Sequence, residues 1–238
     1  MPTSTIQLSR TIARSSQFAR LEPLLFASNT SNDPAFSNAD WVKQTILAPP
    51  FGWRWNRAIK GTPSAPAFVT VAGTSDYSVA LSDFGWLEKA VLYDPNSGYN
   101  PTELQVELLK GEDTLPNIPQ RIAAQMDDGN GNITFRIFPT PDQVYNVVLV
   151  YQKAATLFTS TTQTWTPIPD YLSFVFNEGM DAKTFEYLGD PRYQTSLQLF
   201  YQSLAQMSEG LDQSQKNLWL TDKMNTLRQT QTIQSGRG

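Results

Sequence analysis

The chain changes its hydrophobic period twice. Up to about residue 48 apolar positions recur at helical spacing, from 65 to 155 they alternate, and after Trp165 the 3.6-residue period returns. Ile6, Leu8, Ile12, Ala13, Phe18, Leu21, Leu24 and Leu25 fit one helix face with Pro23 bending it, which predicts one or two helices over 4–27. Residues 28–37 (SNTSNDPAFS) read as a loop. Asn38 then stands as N-cap to a helix over 39–48, with Asp40 in the first turn and Pro49-Pro50 ending it.

In the middle third, Phe68–Val71 and Tyr77–Leu81, joined by Gly73-Thr74-Ser75-Asp76, predict a β-hairpin. Leu87–Tyr93, Glu103–Leu109, Ile133–Phe138 and Val144–Tyr151 predict further strands, the last two closed into a hairpin by Pro139-Thr140-Pro141-Asp142. Short strands at this spacing suggest a small antiparallel sandwich or barrel inserted into a helical protein.

Beyond Trp165, Pro169-Asp170 opens a helix that is apolar around most of its circumference, as a buried helix is. Gly189 stops it, Asp190 caps the next and Pro191 takes the first helical position. There Tyr193, Leu197, Phe200, Leu204, Met207 and Leu211 form one apolar seam, and a short loop allows an antiparallel helical hairpin. Residues 214–238 are rich in Gln, Asn and Thr and cannot build a core, so they read either as a frayed tail or as an arm that orders on a partner.

The expected fold class is therefore α+β: a helical bundle with an inserted small antiparallel β-sandwich or barrel and an extended C-terminal arm. The expected segments are 1–64 (N-terminal helices of the bundle), 65–155 (the β domain), 156–213 (the helical hairpin completing the bundle) and 214–238 (the arm).

Composition then narrows the chemistry. The 238 residues include no Cys and no His, which excludes disulfides, thiolate nucleophiles, Cys-ligated zinc, Ser-His-Asp triads and HExxH sites. Asp127-Asp128-Gly129-Asn130-Gly131-Asn132 resembles a calcium loop in composition, yet its glycines are misplaced and no Glu follows at the twelfth position, so a hairpin turn is the better reading. Glu178, Asp181 and Glu186 could face a hard cation but lack the partner Glu-x-x-His pair, and no phosphate-binding glycine motif is present. No cofactor or metal is expected. No run approaches the ~18 apolar residues that span a bilayer, and the first ten residues lack the apolar region of a signal peptide.

Net charge is −4, unevenly spread: residues 1–20 carry +3, 214–238 another +3, and 21–213 hold 11 bases against 21 acids. Such ends suit an acidic partner or nucleic acid, or are ordinary solvated charges, since no basic run occurs. Trp53, Trp55, Trp86 and Trp165 could form an aromatic platform for sugar or single-stranded nucleic acid, or plug a junction between helices and sheet.

A specific resemblance runs through these elements. A helix ending before Phe51-Gly52-Trp53-Arg54-Trp55-Asn56 leads into the segment from Val69 to Leu81; the stretch from Phe138 to Tyr151 follows; Ile168-Pro169-Asp170-Tyr171 opens a helix pair turning at Gly189-Asp190. Over roughly residues 38–210 this order resembles the head-to-tail adaptors of tailed bacteriophages, the family that includes the tail tubular proteins of short-tailed phages. The resemblance implies a non-enzymatic structural protein of the virion neck, made in the host cytoplasm and assembled as a ring, typically of twelve copies. That ring would dock beneath the portal protein, carry the tail or nozzle protein below and leave a channel for DNA, with no membrane contact. It would make Leu218, Trp219, Leu220, Lys223, Met224, Leu227, Arg228 and Ile233 a portal-docking arm, and Gln194, Gln198, Gln202 and Gln206 an inter-subunit face. Two rivals are a carbohydrate-binding virion or surface module using the Trp cluster, and a carboxylate hydrolase with two acids converging in a cleft.

Overall fold

The computed structural model describes residues 4–20, 34–98, 100–107 and 115–235, with side chains placed as far as residue 227. The chain forms two compact units, one of residues 1–56 with 155–238 and one of residues 57–154.

The first unit contains five α helices among the described residues: α1 (Leu8–Ala19), α2 (Pro34–Leu47), α3 (Ser173–Tyr187), α4 (Tyr193–Met207) and α5 (Gln213–Ser235). In α2, Phe36, Ala39, Val42, Lys43, Ile46 and Leu47 recur every three or four residues and are buried, so a single face enters the core. This helix begins at Pro34 and not after Asn38, because Ala35 and Phe36, fully buried, extend its apolar face backward. Helix α3 buries residues on several sides, as expected of a central helix. Gly189, at φ +67°, ends it, and the N–H of Asp190 returns to the Phe185 carbonyl at 2.9 Å.

Gly179 lets α3 meet two neighbours closely. A Cβ there would stand 2.8 Å from Val42 Cγ1 on α2 and 3.0 Å from Phe200 Cε2 on α4. Gly179→Leu is therefore expected to lower stability by roughly 3 kcal/mol through overpacking. Urea denaturation measures it, and an unchanged midpoint would contradict this packing.

The second unit is an eight-stranded sheet: β1 (Arg57–Lys60), β2 (Phe68–Val69), β3 (Asp76–Ala80), β4 (Phe84–Tyr93), β5 (Pro101–Val106), β6 (Arg121–Asp127), β7 (Asn132–Phe138) and β8 (Asn146–Lys153). The order is β1-β8-β4-β5-β6-β7-β3, with β2 also pairing β8. Alternate residues point into one core: Tyr77 and Val79 of β3, Ile133, Phe135 and Ile137 of β7, Val147, Leu149 and Tyr151 of β8. Phe68 of β2 stacks on Tyr77 of β3 at 4.8 Å, so strands from opposite ends of the order curl toward one another as a half-barrel.

The expected fold class is corrected on several counts. The β unit is not a small antiparallel sandwich or barrel inserted in a helical bundle but a single curled, mixed sheet, with β5 and β6 parallel. The eight strands run from Arg57 to Lys153, so the sheet is a major part of the architecture. The strands near 68–71 and 77–81 do not form a hairpin: β2 pairs β8 and β3 pairs β7. Nor do β7 and β8 pair with each other, since β7 lies between β6 and β3 and β8 beside β4. The turn at Asp127–Asn132 is a hairpin tip, joining β6 to β7 with Gly129 and Gly131 at positive φ. Finally, the C-terminal segment is not extended: residues 213–235 form α5. Its isolated apolar residues fall at helical spacing, and Trp219 and Leu227 lie against the helical unit's own core.

Candidate interaction surfaces

Helix α4 presents two faces. Leu197, Phe200, Leu204 and Ala205 are buried, whereas Thr195, Gln198, Leu199 and Gln206 are exposed. Gln194 and Gln202 are half-buried beside that outer face, and Gln194 Nε2 donates to the Tyr193 hydroxyl at 3.3 Å. Leu199, half of its surface in water, is an apolar residue within this glutamine stripe.

Helix α5 carries the residues considered for docking. Trp219 meets Phe51 edge-on at 4.8 Å and Tyr201 at 5.4 Å, and Lys223 lies 5.8 Å from the Trp219 ring. Leu220, Lys223 and Met224 are half-buried on the same side. Leu218 points away and is 74% exposed. The side chains of Arg228 and Ile233 lie outside the described residues. One face of α5 is thus engaged with its own subunit, and Leu218 sits among polar residues on the other, with Asn217, Thr221 and Asp222 beside it.

The basic N-terminal segment is fastened down. The Ser4 hydroxyl and the Thr5 N–H and hydroxyl donate to Asp170 at 3.1, 3.0 and 2.6 Å, and Leu8 N–H donates to the Gln163 carbonyl at 2.9 Å. These three donors hold the Asp170 carboxyl below the usual carboxylate range, Thr5 contributing most. Arg14 reaches both oxygens of Asp181 at 2.9 and 2.8 Å, and Ser15 donates to the same carboxylate at 3.0 Å. Burial still pushes the Asp181 carboxyl up, and that of Glu178 as well, with Arg14 opposing it. Asp181 and Glu186 are spoken for by Arg14 and Lys183, and among the described residues no group of three acids could hold a metal.

The aromatic cluster is core. Trp53 and Trp165 are almost wholly buried, Trp53 Nε1 donates to the Ile46 carbonyl at 2.7 Å, and Trp55 stacks on Trp53 at 5.3 Å. These rings offer no open platform, which removes the observation behind the carbohydrate reading. Trp86 lies in the other unit, half-buried on β4.

One buried base escaped the sequence reading. Lys43, 3% exposed on α2, donates to Thr156 Oγ1 at 3.1 Å and sits 4.6 Å from the Phe158 ring centre. Burial pulls its pKa down from 10.5 to about 8, with Asp40 opposing the shift. An unfolded chain holds this proton up to about pH 10.5 and the folded chain only to about 8, so stability rises with pH across that window. Below it the cost of a buried ammonium is fully present. Lys43→Met is expected to stabilise the protein on the order of 2 kcal/mol at pH 7, an advantage that fades by pH 10. Denaturation at the two pH values measures it, and a pH-independent difference would contradict the assignment.

The family of SU10 adaptor proteins matches over residues 25–229, which take in α2, the whole sheet, α3, α4 and most of α5. The chain belongs to the SU10 adaptor protein family. No curated protein matches it. As an SU10-family adaptor it is a phage structural protein, a virion component that interacts with other head or tail proteins. No described helix of this adaptor is long and apolar enough to cross a membrane.

Proposed function

We propose that the protein is a head-to-tail adaptor that assembles as a ring, of twelve copies, between the portal and the tail or nozzle protein, and that DNA passes through the ring without sequence-specific binding. The observation that carries this reading is the family match, which spans both compact units and reaches into α5. The exposed side of α4, with Gln198, Leu199 and Gln206 and with Gln194 and Gln202 at its border, supplies the inter-subunit face: its polar groups tolerate water in the free chain and can pair across an interface. The α5 helix is the portal-docking element, with Leu218 its outward apolar anchor; Leu220, Lys223 and Met224 are half-buried on the side that meets its own subunit, and Arg228 and Ile233 follow along the helix. Trp219 and Leu227 set the helix on its own subunit. An acidic body, with 21 acids to 11 bases over 21–213, disfavours adhesion to phosphates and so suits a conduit. Structural work of this kind needs none of the nucleophile and base chemistry that His and Cys would supply.

Sedimentation of the protein alone and mixed with its portal tests the ring. The expected species is a closed assembly, about 320 kDa for twelve copies of a 26.7 kDa chain, formed alone or on the portal. A monomer under both conditions would contradict it.

A further inference from the structure

The turn between β6 and β7 holds two pairs in which a carboxyl or amide side chain precedes glycine, Asp128-Gly129 and Asn130-Gly131, and the second is the chain's only Asn-Gly pair. Such a side chain can close on the next backbone nitrogen, since glycine has no Cβ to obstruct the approach. The fold treats the two pairs differently. Gly129 N–H donates to Asp127 Oδ1 at 2.8 Å, and the Asp128 carboxylate accepts from Asn130 N–H at 2.7 Å, Asn132 N–H at 3.0 Å and Asn132 Nδ2 at 2.7 Å. Both partners of that closure are occupied, and an ionised carboxylate is a poor electrophile. Gly131 N–H, by contrast, has no hydrogen-bond partner among the described residues. Asn130 is exposed, and the one hydrogen bond of its side chain runs from Nδ2 to the Asp128 carbonyl at 3.3 Å. The Gly131 carbonyl accepts from Leu81 N–H at 2.8 Å, which ties the glycine, at φ +84°, to the end of β3. Asn132 is less suited to the same closure, because Asp128 holds its amide and the branched side chain of Ile133 follows it.

We propose that Asn130 is a self-modification site of the folded protein, losing its amide through attack by the Gly131 nitrogen, with water as co-reactant. A bond forms between that nitrogen and Asn130 Cγ, the nitrogen gives up its proton, and the Cγ–Nδ2 bond breaks, so that Nδ2 leaves with the proton as ammonia. One water then opens the five-membered succinimide. Addition at Cγ yields aspartate, and addition at the main-chain carbonyl yields isoaspartate; nothing is oxidised or reduced. Either product places a new negative charge beside Asp127 and Asp128. Isoaspartate also lengthens the main chain by one methylene between the Asn130 and Asn132 N–H groups, which Asp128 now holds together, so this product opens the turn's hydrogen-bonded cage. A virion component is not replaced after assembly, so the change accumulates with the age of the particle. Neither the chemistry nor its place depends on the ring reading.

Incubation of the full-length folded protein in H₂¹⁸O at mildly alkaline pH, followed by tryptic digestion in ordinary water and fragment mass spectrometry, tests the assignment. The peptide between Arg121 and Arg136 is expected to exchange one amide for one ¹⁸O-labelled acid at Asn130, in two isomers of equal mass, aspartate and isoaspartate. The rate in the folded protein is expected to lie within about tenfold of that in the urea-unfolded chain, because the turn leaves the attacking nitrogen and the amide open. Asn130→Gln, which would need a six-membered ring, is expected to remove the label from this peptide. A folded-state rate more than about tenfold below the unfolded one, label at Asn132 in place of Asn130, or label persisting in Asn130→Gln would each overturn the proposal.

Discussion

Trp53→Ala is expected to remove roughly 4 kcal/mol of stability. The side chain is fully buried, its indole N–H donates to the Ile46 carbonyl at 2.7 Å near the end of α2, and its ring lies 5.3 Å from Trp55 and 6.2 Å from Phe51. Truncation loses the ring's contacts, leaves a cavity that the surrounding helices fill only in part, and strips the Ile46 carbonyl of its side-chain donor. Against a typical total of about 5–15 kcal/mol, such a loss brings the folded state close to failure at 37 °C. Chemical denaturation would show a large fall in midpoint. A Trp53→Ala protein of wild-type stability that had lost glycan binding would instead revive the carbohydrate reading.

Removal of residues 213–238 is expected to abolish portal binding and to cost about 2 kcal/mol of stability. The stability loss follows from Trp219, which covers Phe51 and Tyr201 and would leave both rings to water. The binding loss follows from the proposed role of α5, and one substitution separates the two effects. Leu218→Asp alters a residue that is 74% exposed, so it should leave stability within about 0.5 kcal/mol of wild type. It should nonetheless weaken portal capture at least tenfold. Equal capture by wild type and both variants would remove α5 from the portal interface.

The sequence exposed some of this architecture because certain signals are local. The buried helix α3 is apolar on most sides, and its stop at Gly189 needs only a left-handed residue followed by Asp190, whose carboxylate accepts from the Arg192 N–H at 2.9 Å. The β6–β7 turn announces itself through Asp127–Asn132, where side-chain oxygens bond to the loop's own N–H groups. Strand pairing is not local. Phe68–Val69 and Asp76–Ala80 alternate as a hairpin would, yet their partners lie nearly eighty and about fifty-five residues away, a choice made by burial inside the curled sheet. Strand β6 was missed because Ala123 and Ala124 give it little β-propensity, and β1 because four residues ending in an exposed Lys60 show no clear alternation.

The surfaces were legible to a different degree. The glutamine stripe and apolar seam of α4 follow directly from 3.6-residue spacing. On α5 the apolar anchors could be seen but not divided: only the fold shows that Trp219 faces Phe51 while Leu218 faces water. Lys43 was similarly hidden, since a lysine within a helix reads as a solvated charge until Thr156 and Phe158 are placed against it.

The claim on which the rest depends is the position of the protein between head and tail. Electron microscopy of virions, or of portal reconstituted with this protein and the tail protein, tests it most directly. The expected image is a ring of this chain beneath the portal, with α5 of each copy against the portal, the β units in the same ring and an open axial channel. Density for the protein anywhere else in the particle, or a portal joined directly to the tail without it, would contradict the account.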